Sequence, residues 1–270
     1  MSRQSISRRA AVSQMAIAPL TGVLGPPVLL APSRKKVFVL VHGAWHGGWC
    51  WKKVRPRLEK EGYTVHTPTL TGLGERAHLL TADVGLDTHT QDIVAMLEFE
   101  DLRDVILVGH SYGGMVITSV AGRVGQRLSQ LVYLDAFLPE EGKSLSSYTP
   151  RPPESALPAG TAPPRDFRVP PRSTVEEFGV RDPADIAWAR ARLTPQSGKT
   201  FGQPLHLDAA IPDSVRKAYI QCTDDSPWFV EAAARAERSG YTSRKLFGGG
   251  HDAMISEPTR LAAMLLDLAR

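Results

Sequence analysis

Val105-Ile106-Leu107-Val108-Gly109-His110-Ser111-Tyr112-Gly113-Gly114-Met115-Val116-Ile117 decides the fold. Its apolar opening reads as a strand buried on both faces, a Gly-x-Ser-x-Gly follows at once, and the small and apolar residues after it read as a helix. A strand that turns into a helix this sharply needs almost no side chain two residues before and two after the serine, and Gly109 and Gly113 meet that need. Ser111 is therefore the candidate nucleophile, with its hydroxyl aimed into a cleft. The helix behind it directs free backbone N–H groups, including that of Tyr112, toward the point where an attacked carbonyl would gain negative charge.

Upstream, Lys36-Val37-Phe38-Val39-Leu40-Val41 predicts a central parallel strand that runs into His42-Gly43-Ala44-Trp45-His46-Gly47-Gly48-Trp49. A glycine-rich bend there turns the Ala44 N–H toward the same cleft, so Ala44 and Tyr112 form a candidate two-donor oxyanion hole. His42 and His46 have no patterned third ligand nearby, so no metal is expected and both are read as bonded to loop backbone. Residues 51–61 have helical spacing ended by Gly62, 63–67 read as a strand, 70–78 as a loop and 88–99 as a helix.

Downstream, 128–134 read as another strand, and Asp135 stands at its C-terminal end, the ligand-binding edge of a parallel sheet. Residues 139–207 lose strand periodicity and are rich in proline, which predicts a partly helical cap over the cleft, with a helix over 183–193. Trp188 and Tyr148 either line an acyl pocket in this cap or fill its interior. The sheet resumes at 216–222, and Asp224 and Asp225 lie just past it. The last strand ends near Phe247, and Gly248-Gly249-Gly250 gives a flexible loop that can carry His251 over Ser111. Serine, then acid, then histidine is the order this kind of site requires, with Asp225, Asp224 or Asp135 as the acid. An amphipathic helix over 258–270, with Leu261, Met264, Leu265 and Leu268 on its buried stripe, closes the chain.

The length of 270 residues suits one large α/β domain with an insertion, and 42% hydrophobic with 22% charged residues is ordinary globular composition. The net charge of +4 owes three of its arginines, Arg3, Arg8 and Arg9, to the N-terminal stretch, so no nucleic-acid partner is inferred. Cys50 and Cys222 show no metal or disulfide pattern. Residues 1–34 carry Ser7-Arg8-Arg9 before small and apolar residues, and no acidic residue precedes Glu59. This resembles a twin-arginine export leader and predicts a periplasmic or secreted protein; the alternative is a plain extension on a cytoplasmic one. Pro19, Pro26 and Pro27 interrupt the apolar run, which argues against membrane insertion.

The stretches VFVLVHGAWHGGWCW, TLTGLGERAHL, VGHSYGGMV, YLDAFLP and GGGHDAMISEP together resemble the α/β-hydrolase branch of plant methyl-ester esterases, hydroxynitrile lyases and bacterial esterases. The resemblance spans residue 36 to the C-terminus and is loosest in the cap. It implies an α/β-hydrolase fold, with Ser111 and His251 as nucleophile and base and the N–H groups of Ala44 and Tyr112 as oxyanion donors. Cys222-Thr223-Asp224-Asp225 matches the family's acid segment and favours Asp225; a slightly shorter spacing to His251 leaves Asp224 and Asp135 open. Cyanohydrin-cleaving members carry a lysine after the catalytic histidine and a threonine before the first oxyanion residue, where this chain has Asp252 and Gly43. The expectation is thus a serine hydrolase of a small carboxylic ester, without metal or organic cofactor. Lyase, amide or lactone chemistry, and a non-catalytic small-molecule receptor, are the alternatives.

Overall fold

The computed structural model describes residues 36–149, 166–223 and 225–270. The expected leader, Asp224 and the prolines between 150 and 164 lie outside the described residues.

Every residue of β1 (Val37–Val41) is buried. Val37, Val39 and Val41 enter one hydrophobic core and Phe38 and Leu40 the other, because the strand lies between two helical layers. This double burial is why the strand is apolar without alternation. With β2 (Thr64–His66), β3 (Val105–His110), β4 (Leu128–Leu134), β7 (Arg216–Gln221) and β8 (Thr242–Lys245) it forms a sheet of order β2-β1-β3-β4-β7-β8, parallel throughout. Helices α2 (Leu86–Phe99), α3 (Gly113–Val124) and α7 (Pro227–Arg238) pack on one face. Helices α1 (Arg55–Lys60), α8 (Ala253–Ser256) and α9 (Pro258–Leu268) cover the other.

Between β4 and β7 the described residues form α4 (Leu145–Tyr148), α5 (Pro183–Arg190), α6 (Lys199–Gly202) and an antiparallel ribbon of β5 (Arg168–Val169) with β6 (Gln196–Ser197). Strands this short carry too few residues for a readable alternation, so sequence periodicity showed only helix here. The Asp182 side chain caps α5 by accepting from the N–H groups of Ala184 (2.9 Å) and Asp185 (3.0 Å), with Pro183 opening the helix. The helix expected over 51–61 is split: a 3-10 turn at Gly48–Trp51 precedes α1, where Pro56 lacks an N–H to continue the turn, and Gly62 at φ 87° closes it as expected.

Topology and register put three loops side by side. The chain leaves β1 toward β2 on one side and returns to β3 on the other, so a crevice opens between the C-terminal ends of β1 and β3. Val41 pairs with Gly109, His110 with Leu134, and Leu134 with Ile220. The residues following β1, β3, β4 and β7 therefore emerge together at one edge. Among the described residues, no helix is long and apolar enough to cross a membrane.

Candidate active site

Ser111 has φ 54°, a left-handed conformation that costs a non-glycine residue about 1 kcal/mol or more. Its surroundings hold it there. The Ser111 N–H donates to Leu134 O at 3.2 Å, and its carbonyl accepts from Gly114 N at 3.0 Å and Phe137 N at 3.1 Å. A Cβ on Gly109 would lie 2.6 Å from Gly113 O, and one on Gly113 would lie 3.0 Å from His42 O. Close backbone approach on both sides explains why each site of the Gly-x-Ser-x-Gly takes glycine.

The loop after β1 brings Ala44 onto the wall of the same crevice. Among the described residues neither the Ala44 N–H nor that of Tyr112 has a protein acceptor. His42 fixes the peptide that carries the Ala44 N–H: its Nδ1–H donates to Gly43 O at 2.8 Å while its Nε2 accepts from the Leu70 N–H at 3.1 Å. Burial pushes His42 down to about 3, so the ring stays neutral in this one tautomer. Trp45, at φ 63°, donates its N–H to the Gln196 side chain at 3.0 Å, tying the loop to the inserted segment. Both histidines of the loop are bonded to loop backbone, since His46 Nδ1 donates to Ala44 O at 2.7 Å.

His251 rides on the glycine loop, where Gly248 and Gly250 have φ 96° and 66°. A Cβ on Gly250 would come within 2.5 Å of Gly179 Cα, so the loop must pass bare against the inserted segment. The ring stacks on Phe229 with centroids 4.6 Å apart, and its Nδ1–H donates to Asp135 Oδ2 at 2.8 Å. His110, next to the serine, donates from Nε2 to the His251 carbonyl at 3.0 Å. His251 Nε2 has no partner among the described residues and is left for the crevice.

The carboxylate bonded to His251 is thus Asp135, not Asp225, the one favoured from the sequence. Asp135 is fully buried just beyond β4 at φ 41°. Its Oδ1 accepts from the N–H groups of Cys222 (2.8 Å) and Thr223 (3.1 Å), and its Oδ2 from Thr223 Oγ1 (3.0 Å) as well as from the histidine. The backbone leaving β7 closes around Asp135, which carries the chain past His251 and leaves Asp225 exposed on the crevice wall.

Ser111, Ala44 and His251 line one cavity of about 260 Å³. Its apolar walls are Trp45, Phe137, Phe178, Phe201, Trp228 and Phe229, and Arg172, Glu177 and Asp225 supply charge. Trp188 and Tyr148 take the packing alternative: Trp188 is partly buried, edge-on to Trp49 at 5.1 Å, against the core on the α1 face, and the Tyr148 hydroxyl accepts from the Glu140 N–H at 2.8 Å. Asp252 does not face the cavity either. It is fully buried and paired with His46, so its charge cannot act on a leaving group as an argument against lyase chemistry requires. Gly43 does exclude a threonine without rearrangement, because a Cβ there would lie 2.8 Å from His110 Nδ1.

His89 and Phe229 also shape the site, without a local signal in the sequence. His89 donates from Nε2 to Thr71 O (2.9 Å), so its Nδ1 accepts from the Tyr112 hydroxyl (2.9 Å) and anchors the residue behind the serine. Neither has a local pattern; only the position of Phe229 on the first turn of α7 hinted that it faces the crevice. Cys50 and Cys222 are both buried free thiols, pushed well above the usual range by burial, which makes them poor nucleophiles.

The chain is similar to known proteins over this same core. A carbendazim hydrolyzing esterase of Nocardioides sp. (strain SG-4G) is 43% identical over 241 residues, covering 86% of this chain and 98% of that protein. Salicylic acid-binding protein 2 of Nicotiana tabacum is 31% identical, covering 87% and 97%. An extracellular α/β-hydrolase from a Paenibacillus species, whose structure is solved, superposes with a TM-score of 0.66 at 25% identity, covering 86% and 98%. Residues 38–264 match the model of the alpha/beta hydrolase family, and the chain belongs to that family.

Proposed function

We propose that the protein is a serine esterase that cleaves small aromatic esters or carbamates through Ser111, His251 and Asp135. The observation that carries this reading is the His251–Asp135 hydrogen bond at 2.8 Å, on the wall of the cavity that also holds the strained Ser111. Because Nδ1 donates to a carboxylate, Nε2 is the nitrogen with a lone pair, and it takes the Ser111 proton as Oγ attacks the carbonyl. The Ala44 and Tyr112 N–H groups receive the oxyanion, and Asp135 stabilises the imidazolium. That proton then passes to the leaving alkoxide, and water cleaves the acyl-enzyme by the reverse path.

The cavity walls support this substrate class. A cavity of about 260 Å³ ringed by aromatic side chains suits a flat ring bearing a small ester. Carbendazim, a methyl carbamate on an aromatic heterocycle, is acted on by the 43% identical relative and is the first substrate to try here. The test is hydrolysis of carbendazim and a short p-nitrophenyl ester by the wild type and by Ser111→Ala, with circular dichroism to compare folding. Turnover lost only in the variant supports the reading; equal turnover in both overturns it. For location, the Ser7-Arg8-Arg9 stretch and the extracellular Paenibacillus neighbour support export, which N-terminal sequencing of a secreted or periplasmic fraction would test.

A further inference from the structure

We propose that His46 and Asp252 form a buried, proton-locked pair that holds the oxyanion loop and the base loop in register, making His46 a positioning residue for catalysis. The inference rests on the esterase reading of the site.

His46 follows the left-handed Trp45, and this turn folds its ring back onto the loop it belongs to. Its Nδ1 lies 2.7 Å from Ala44 O and its Nε2 lies 3.0 Å from Asp252 Oδ2. Both neighbours are acceptors, so a neutral imidazole would set a lone pair against one of them. A carbonyl cannot give up a proton; the second proton is therefore shared with the carboxylate, and the pair is an imidazolium on a carboxylate. Burial alone would push His46 down, but the charge and hydrogen bond of Asp252 and the bond to Ala44 outweigh it and hold the ring above its ordinary value.

The pair joins the two groups that act on opposite sides of the reacting carbonyl. Ala44 is the oxyanion residue, and Asp252 directly follows His251. Both side chains are essentially sealed from solvent, with 2% and 0% exposure. The ring stacks on Trp49 with centroids 5.3 Å apart, and the Asp252 N–H donates to Phe178 O at 2.8 Å. A displacement of either loop would break a charge-assisted bond in a dry interior, where an unpaired charge is costly. The other titratable groups facing the pair are His42 in the same loop, His110 in the elbow (3.8 Å from Asp252 Oδ1), Cys50 in the 3-10 turn, and His251.

The test is a double-mutant cycle on the full chain, with His46→Gln, Asp252→Asn and the double variant, read as kcat, KM and the pH dependence of kcat/KM on a p-nitrophenyl ester. His46→Gln strands the Asp252 charge beside His251, which favours the imidazolium. It should lower kcat by about tenfold or more with KM nearly unchanged, and move the acid limb upward by about half a pH unit or more. Asp252→Asn removes that charge, so kcat falls but the limb does not rise, and the double variant returns it to the wild-type position. Folded single variants with kcat within about twofold of wild type, or a His46→Gln loss with no movement of the limb, overturn the proposal. Nitrogen-15 NMR of the wild-type histidines decides the charge state without any variant: at pH 6.5, the ordinary midpoint, His46 should be mostly protonated on both nitrogens, and a mostly neutral ring refutes the pair. This readout needs no turnover, so an inactive wild type would defeat the esterase reading while leaving the pair to the spectrum.

Discussion

Replacing Asp135 by asparagine should almost abolish turnover while leaving most of the fold intact. The carboxylate receives four hydrogen bonds, from Cys222 N, Thr223 N, Thr223 Oγ1 and His251 Nδ1. The amide oxygen of asparagine can keep the two backbone donors, and the hydroxyl of Thr223 can turn to accept from the amide nitrogen. His251 has no such freedom. An NH2 group facing Nδ1 drives the proton to Nε2, and the ring can no longer accept from Ser111. A wrong tautomer in an otherwise intact triad costs about 10,000-fold in kcat, or about 5 kcal/mol of transition-state stabilisation. All four bonds lose the charge that strengthens them, at about 1 kcal/mol each, so Tm should fall by roughly 8–16 °C. Steady-state hydrolysis of a p-nitrophenyl ester beside thermal unfolding reads both effects. Asp225→Asn is the control and should stay within about threefold of wild type in kcat, because it touches only the cavity wall. If Asp135→Asn retained turnover within about tenfold and Asp225→Asn lost it, the assignment of the acid would be refuted.

Other outcomes follow from the same geometry. Ser111→Gly should be inactive yet more stable than Ser111→Ala by about 1 kcal/mol, because only glycine relaxes at φ 54°; equal Tm values would deny the strain. Gly109→Ala should lower stability by about 2–4 kcal/mol in chemical denaturation, since its Cβ meets backbone at 2.6 Å; a neutral result would mean the elbow is looser than described. Trp228→Ala should raise KM for aryl esters by roughly fivefold with little change in Tm, because the ring is 48% exposed at the cavity wall; an unchanged KM would remove it from the binding surface. Stability should fall as pH drops below about 6.5, because burial holds His42 down at about 3 and His89 at about 4, while the unfolded chain takes up both protons. Each adds about 1.4 kcal/mol per pH unit until its folded value is reached; His46, held above its ordinary value, acts only above pH 6.5 and does not offset this. A urea-unfolding free energy that stays flat from pH 6.5 to 4.5 would contradict the buried neutral histidines.

The elbow was legible in the sequence because everything it needs is local: a buried strand, two glycines and a helix within a dozen residues. The place of His251 was legible for a related reason, since three glycines mark the loop that carries it. The carboxylate it bonds was not. Asp135 and Asp225 both stand just past neighbouring strands, and the choice depends on how Thr223 and Cys222 turn their N–H groups, which no local pattern encodes. The clue in the sequence was that Asp135 directly follows its strand, at the ligand-binding edge of the sheet, whereas Asp225 lies four residues past the end of β7. In the inserted segment, aromatic identity alone could not distinguish Trp188, which packs the core, from Phe178 and Phe201, which line the cavity. His46 and Asp252 lie 206 residues apart and could be joined only in three dimensions.

The proposed roles of Ser111 as nucleophile and His251 as its activator are separated from every other reading by intact-mass and peptide mapping after reaction with a serine-reactive aryl phosphonate, on the wild type and on His251→Ala. One adduct per chain is expected, on the peptide containing Ser111, formed rapidly in the wild type and at least about a hundredfold more slowly without the histidine. An adduct on another residue, or ester turnover that survives complete modification of Ser111, would contradict those roles.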